Sequence, residues 1–144
     1  MALYSVSNTS AAAAAGATYC DLRAGTGQRI YIREIGVTLN AATASSIGIG
    51  RPASNGTTST TTTGIAVDPA DQATTTVMGT AWSVAPTAPT TFFRRVVMPA
   101  TAGSGFVWYF DRGGLVVAQS AVLNMWNFGA GAGSALSVYF VWEE

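Results

Sequence analysis

Apolar side chains in this chain recur at every second position along most of its length, and runs at helical spacing are scarce. A period of two belongs to strands that bury one face, so the pattern points to an all-β fold. The clearest run covers residues 28–40. Ile30 and Ile32 share one face there, and the apolar phase then slips by one residue to Ile35, Val37 and Leu39. A slip of that kind predicts a β-bulge, or a bend where the strand changes sheets. Further runs cover 46–51, 74–84, 91–98, 105–111, 114–118, 121–128 and 134–142, most of them divided by Gly, Pro or Ser turns. In the last of them Leu136, Val138, Phe140 and Trp142 line one face, while Phe106, Trp108 and Phe110 do so in the run 105–111.

Two stretches lack the alternation. Residues 50–73 read as a long loop, with a Thr run at 60–63 and turn signals at Asn55-Gly56 and Asp68-Pro69. Residues 1–17 read as an extended N-terminal arm. Asn8 to Ala15 is polar or small and offers little to bury, while Leu3, Tyr4 and Val6 form a short apolar end suited to adding a strand to a neighbour. Residues 18–144 are then a single domain, and the arm is expected to be removable without loss of the fold.

Eight antiparallel strands admit a double-sheet jelly roll, a Greek-key sandwich or a barrel. The long loop after the second strand suits the crossovers of a jelly roll. An eight-stranded antiparallel jelly-roll-like β-sandwich is the expected fold. Its first, eighth, third and sixth strands would form one sheet, and its second, seventh, fourth and fifth the other.

The chain has no histidine, no lysine and one cysteine, Cys20. Without His there is no imidazole base for a Ser or Cys nucleophile. Without Lys there is no Schiff base and no phosphate-loop lysine. One thiol and no imidazole leave no set for zinc, haem or iron–sulfur ligation from a single chain. The composition argues for a non-enzymatic protein that holds or binds something, with no cofactor.

Charge narrows the partners. Seven arginines balance seven acids, charged residues are 10% of the chain, and no basic patch stands out, so nucleic acid is not expected. No apolar run reaches the eighteen or so residues that span a membrane, and Met1-Ala2-Leu3-Tyr4 does not open a signal peptide. Synthesis in a cytoplasm is expected, and the lone Cys20 is consistent with a reducing one. A neutral, lysine-free surface favours assembly over life as a monomer. Codon bias in a GC-rich genome, which trades Lys for Arg and Ala, is the other account of the missing lysine, and the two are compatible.

Few residues are candidates for chemistry. Ala24-Gly25-Thr26-Gly27 is a glycine-rich turn with no helix or Lys after it, hence no phosphate loop. Asp68 and Asp71 are too few for a cation site and read as solvated loop acids. Arg94-Arg95 puts one guanidinium on each face of a strand. One is expected to pair across the sandwich or with an acid of a neighbouring subunit, and the other to face solvent. Trp108 and Trp142 sit in phase with core residues, whereas Trp126, between Asn124 and Phe128, is the aromatic best placed for stacking on a sugar. Glycoside hydrolysis needs two facing carboxylates, and nothing in the spacing of the acids pairs them.

Several segments taken together carry a resemblance. They are Arg29-Ile30-Tyr31-Ile32-Arg33-Glu34-Ile35-Gly36-Val37, Gly48-Ile49-Gly50-Arg51-Pro52-Ala53, Ala81-Trp82-Ser83-Val84-Ala85-Pro86-Thr87, Phe93-Arg94-Arg95, Gly114-Leu115-Val116-Val117 and Val141-Trp142-Glu143-Glu144. In texture and order, from about Gln28 to Glu144, they resemble small β-rich structural proteins of tailed-bacteriophage virions. The resemblance implies a jelly-roll-like fold and a place on the particle. That place is either on the capsid as a trimeric decoration (cement) protein, or in a fibre, spike or tail part that binds a host glycan. The first is the expected role: a homotrimer on the capsid surface that bridges capsomers by contact with the major capsid protein. Leu3, Tyr4, Val6, Arg94, Arg95, Trp126, Glu143 and Glu144 are the expected interface residues.

Overall fold

The computed structural model describes residues 1–144, and it contains strands and no helix. The strands are β1 (Leu3–Thr9), β2 (Thr18–Arg23), β3 (Ile30–Leu39), β4 (Ser45–Gly50), β5 (Thr57–Thr63) and β6 (Ile65–Ala66). They continue as β7 (Val77–Val84), β8 (Arg94–Met98), β9 (Gly105–Tyr109), β10 (Leu115–Val117), β11 (Val122–Asn127) and β12 (Leu136–Glu143). One sheet runs β6-β1-β12-β3, with β9 and β10 sharing the far edge of β3; the other runs β5-β7-β2-β11-β4-β8. All pairings are antiparallel, and the two sheets form a sandwich of twelve strands rather than eight.

The alternation places the core correctly. Leu136, Val138, Phe140 and Trp142 are at most 2% exposed, and Phe106, Trp108 and Phe110 pack against the same core. The phase slip in β3 is a bulge: Val141 pairs with Glu34 and Trp142 with Ile32, so Arg33 is the extra residue. The expected neighbours β3–β12 and β4–β11 are paired.

Sheet membership differs from expectation at two strands. β7 lies in the second sheet and β9 in the first, the reverse of the jelly-roll assignment. The cause is β2, which has no alternation to reveal it. Tyr19, Cys20, Asp21 and Leu22 are all buried, so both faces of the strand are covered. It sits between β11 and β7 and so draws β7 into that sheet. The expected loop at 50–73 also contains β5, a run of seven Ser and Thr residues of which all but Ser59 pair with β7. Threonine is β-branched and favours extended backbone, which an apolar pattern does not record.

The N-terminal arm is part of the sandwich. β1 lies between β12 and β6, with Tyr4 and Val6 in the core and Tyr4 stacked on Trp142 at 5.9 Å between ring centroids. The alanine-rich segment that follows is held mainly by hydrogen bonds. Asn127 Nδ2 donates to the carbonyls of Ala13, Ala14 and Gly131, and Ser10 Oγ accepts the Leu136 amide at 3.1 Å.

Candidate functional site

The two sheets differ in what covers their outer faces. In the second sheet, residues 86–93 fold back over the strands. A Cβ at Gly48 would meet Phe92, and one at Gly50 would meet Pro89. On this sheet Asp21, Asn124 and Trp126 are 0%, 0% and 8% exposed. Asp21 accepts hydrogen bonds from Arg23 Nη2 at 2.7 Å, Arg23 Nε at 3.1 Å, Trp82 Nε1 at 3.0 Å and the Gly79 amide at 3.2 Å. Burial pushes its carboxyl above the ordinary value, opposed by Arg23, Trp82 and Gly79. Arg23 also donates to the carbonyl of Asn55 at 2.6 Å, so the cluster fastens the turn before β5 onto the sheet. Its donors all point at Asp21 or at the Asn55 and Gly56 carbonyls. It is an anchor, not a binding site.

The largest cavity, about 370 Å³, lies beside the Ala24-Gly25-Thr26-Gly27 turn, where Gly27 has a φ of +85°. The one charged residue lining it is Arg23, already committed to Asp21 and Asn55. Asp68 holds its own turn by accepting the Ala70 amide. No three His, Cys, Asp or Glu side chains come together as a metal group.

The expected interface residues fall in different places. Trp126 is covered and is not the exposed aromatic that sugar stacking requires. Arg94 and Arg95 are both exposed, and each stacks on an aromatic ring rather than meeting an acid of the chain. Arg94 lies 4.8 Å from the centre of Phe110 and donates to the Tyr109 carbonyl on the other sheet; Arg95 lies 3.8 Å from the centre of Phe128. Glu143 pairs with Arg33 at 2.6 Å. Glu144 accepts from Thr74, Thr76 and Trp142 through one carboxylate oxygen. Tyr4 and Val6 are buried, and Leu3 alone of the three faces outward.

The first sheet keeps its outer face bare, and Leu3 belongs to it. Register places the outward residues in rows across the sheet. One row reads Ile65, Ser5, Val141, Glu34, Tyr109, and the next Ser7, Tyr139, Gly36, Val107. Tyr31 and Val116 extend the face at the β10 end. Ile65, Val67, Val107 and Tyr109 are 70%, 57%, 41% and 65% exposed. Of the acids on the face, Glu143 is paired with Arg33, and Glu34 keeps its charge while accepting a hydrogen bond from the Tyr139 hydroxyl. That bond to Glu34 holds the Tyr139 phenol up to about 12. Beside Tyr139 a groove of about 260 Å³ is lined by Ser7, Asn8, Thr9, Thr38 and Ser137.

Of the expected interface residues, only Leu3 and Glu143 belong to this face. The signal was present on β12, whose outward positions hold Tyr139 and Val141 where a solvated strand would carry charge. No protein-family model, no curated protein and no solved structure matches this chain.

Proposed function

We propose that this chain is a non-enzymatic structural protein of a bacteriophage particle. It acts as a capsid decoration protein of jelly-roll-like fold, made in the bacterial cytoplasm and assembled as a homotrimer on the capsid surface. Its work is to bridge capsomers by broad contact with the major capsid protein. The observation that carries this reading is the bare outer face, a six-strand surface of aliphatic, tyrosine and hydroxyl side chains with few charges, where Glu143 is paired with Arg33. Such a surface suits extended, close contact and gives little electrostatic steering. The resemblance of residues 28–144 to virion proteins supplies the setting.

The test is saturable binding of the purified protein to expanded, undecorated heads. Attachment is expected to persist in moderate salt, because screening acts on exposed charges and this surface has few. Absence of binding to heads, with the protein found at the tail of purified particles, would overturn the decoration role.

A second reading, a tail or fibre component that binds a host glycan, is favoured by the groove. The Tyr139 ring lies flat across Gly36, with Ser7, Asn8, Thr38 and Ser137 hydroxyl and amide groups around it. Flat aromatic rings beside hydrogen-bonding side chains suit sugar rings. Under this reading Tyr139→Ala abolishes host-cell attachment and leaves particle stability unchanged.

A further inference from the structure

We infer that the free edge of β8 is a docking site for an extended acidic segment of another protein. The segment adds a strand to the second sheet, with a carboxylate on Arg95 and an apolar side chain beside Val97. The inference goes beyond the proposed function and does not rest on it, because this edge belongs to the other sheet.

The edge is open. β8 ends its sheet and pairs only with β4, in unbroken register from Arg94 opposite Ile49 to Met98 opposite Ser45. An antiparallel ladder uses the N–H and C=O groups of alternate residues, so those between point away from β4. No hydrogen bond of the chain reaches them. The other ends are blunted. β5 shifts register three times along β7, β6 is two residues long and β10 three, and the Tyr109 carbonyl of β9 is taken by Arg94. Short or bulged edges refuse a further strand, and β8 is neither.

Charge selects the occupant. Arg51, Arg94 and Arg95 cluster here, and none has an acid partner: the ion pairs of the chain are Arg23–Asp21 and Arg33–Glu143. Arg51 stacks on Phe93, beside Arg94 in sequence, and these two arginines donate only to the carbonyls of Val116 and Tyr109. Arg95 donates to nothing in the chain. Phe128 and Phe92 hold its guanidinium, 3.8 and 5.6 Å from their ring centres. Rings against the faces of a guanidinium leave its in-plane N–H donors free, and a fixed fork of such donors suits a carboxylate. No Asp or Glu occurs in residues 72–110, in β4 or in β11 to offset these charges. Asp111, beyond Phe110, is exposed and makes no ion pair.

The outward neighbour of Arg95 along β8 is Val97, 69% exposed, and a hollow of about 330 Å³ is lined by Arg95, Val96, Val97 and Phe128. A strand laid on this edge sets residues two apart against Arg95 and Val97, one acidic and one apolar. A second copy has no such strand to offer. Asp68, Asp71 and Asp111 stand in turns, while Asp21, Glu34 and Glu143 lie in strands already paired on both sides. Glu144 is held by Thr74, Thr76 and Trp142. The partner is therefore a different protein.

The test is fluorescence anisotropy of a labelled peptide, Ser-Glu-Thr-Val-Thr-Glu-Ser, titrated with the full chain. Its two Glu and its Val fall on one face of a strand laid in either direction. Saturable binding is expected. Gln in place of both Glu residues, or methylation of the peptide's backbone nitrogens, is expected to weaken it at least tenfold, the first by removing charge and the second by removing the ladder. Arg95→Gln and Val97→Asp are expected to do the same with circular dichroism unchanged, since both side chains are exposed. Arg29→Gln, the same charge change just before β3, is expected to change nothing. Hydrogen exchange at alternate amides of residues 94–98 is expected to slow when the peptide is bound, which ion pairing alone does not cause.

No saturable binding up to about 1 mM overturns the inference. So does binding kept in Arg95→Gln or by the methylated peptide, or binding without slowed exchange in β8. A single-stranded oligothymidylate that binds through Arg95 more tightly than the peptide also overturns it, and makes the edge a nucleic-acid site. None of these outcomes bears on attachment to heads, which tests the proposed function separately.

Discussion

The ring of Tyr139 on β12 occupies the space that a Cβ on Gly36 of β3 would fill. The two residues are cross-strand partners, so the missing side chain at 36 lets the ring lie flat and its hydroxyl reach Glu34. Gly36→Ala is expected to lift the ring and cost about 1–3 kcal/mol, the usual range for forcing atoms into filled space. In Tyr139→Ala the same Gly36→Ala change should cost much less, and a double-mutant cycle from urea unfolding measures the difference.

Tyr139 also gives stability an alkaline limit. Its phenol is raised from 10.0 in the unfolded reference to about 12 by the bond to Glu34. A folded value above the unfolded one means the contribution is complete below pH 10.0 and is lost as pH rises through about 12. Tyr139→Phe removes that phenol, so the urea midpoint of the variant should fall less steeply than wild type over this interval.

Asp21 is a buried carboxylate held by four hydrogen bonds. Asp21→Ala leaves Arg23, Trp82 Nε1 and the Gly79 amide without their acceptor. A loss of about 3–5 kcal/mol is expected, as for breaking one side of a buried ion pair. Asp21→Asn keeps an acceptor and should cost less. Hydrogen exchange at residues 55 and 56 should rise in Arg23→Met, since Arg23 fastens that turn.

Removing residues 2–9 deletes β1 from between β12 and β6. Tyr4 and Val6 leave the core and Trp142 loses its stacking partner. The truncated chain is expected to lose cooperative unfolding in circular dichroism melts, which an external arm would not cause.

Cys20 is fully buried, and burial pushes its thiol well above the ordinary value. A thiol reagent should not label it in the native protein. The labelling rate in rising urea should track the unfolded fraction, so Cys20 serves as a probe of opening of the core.

Alternation alone determined the all-β class, the inward faces of β3, β9 and β12, and the phase slip between Ile32 and Ile35, because period two is a local property of half-buried strands; that the slip is a bulge at Arg33 came from the pairing with β12. It was silent on β2, which is buried on both faces, and on β5, where threonine rather than apolar side chains forms the strand. Only the tertiary structure decided that residues 86–93 cover one sheet and leave the other bare. Trp126 is covered, Asp21 is closed off by Arg23, Trp82 and Gly79, and Tyr109 stays exposed. Local pattern tells which side of a strand is apolar. What lies on that side depends on segments dozens of residues away, and on glycines whose lack of a side chain admits them.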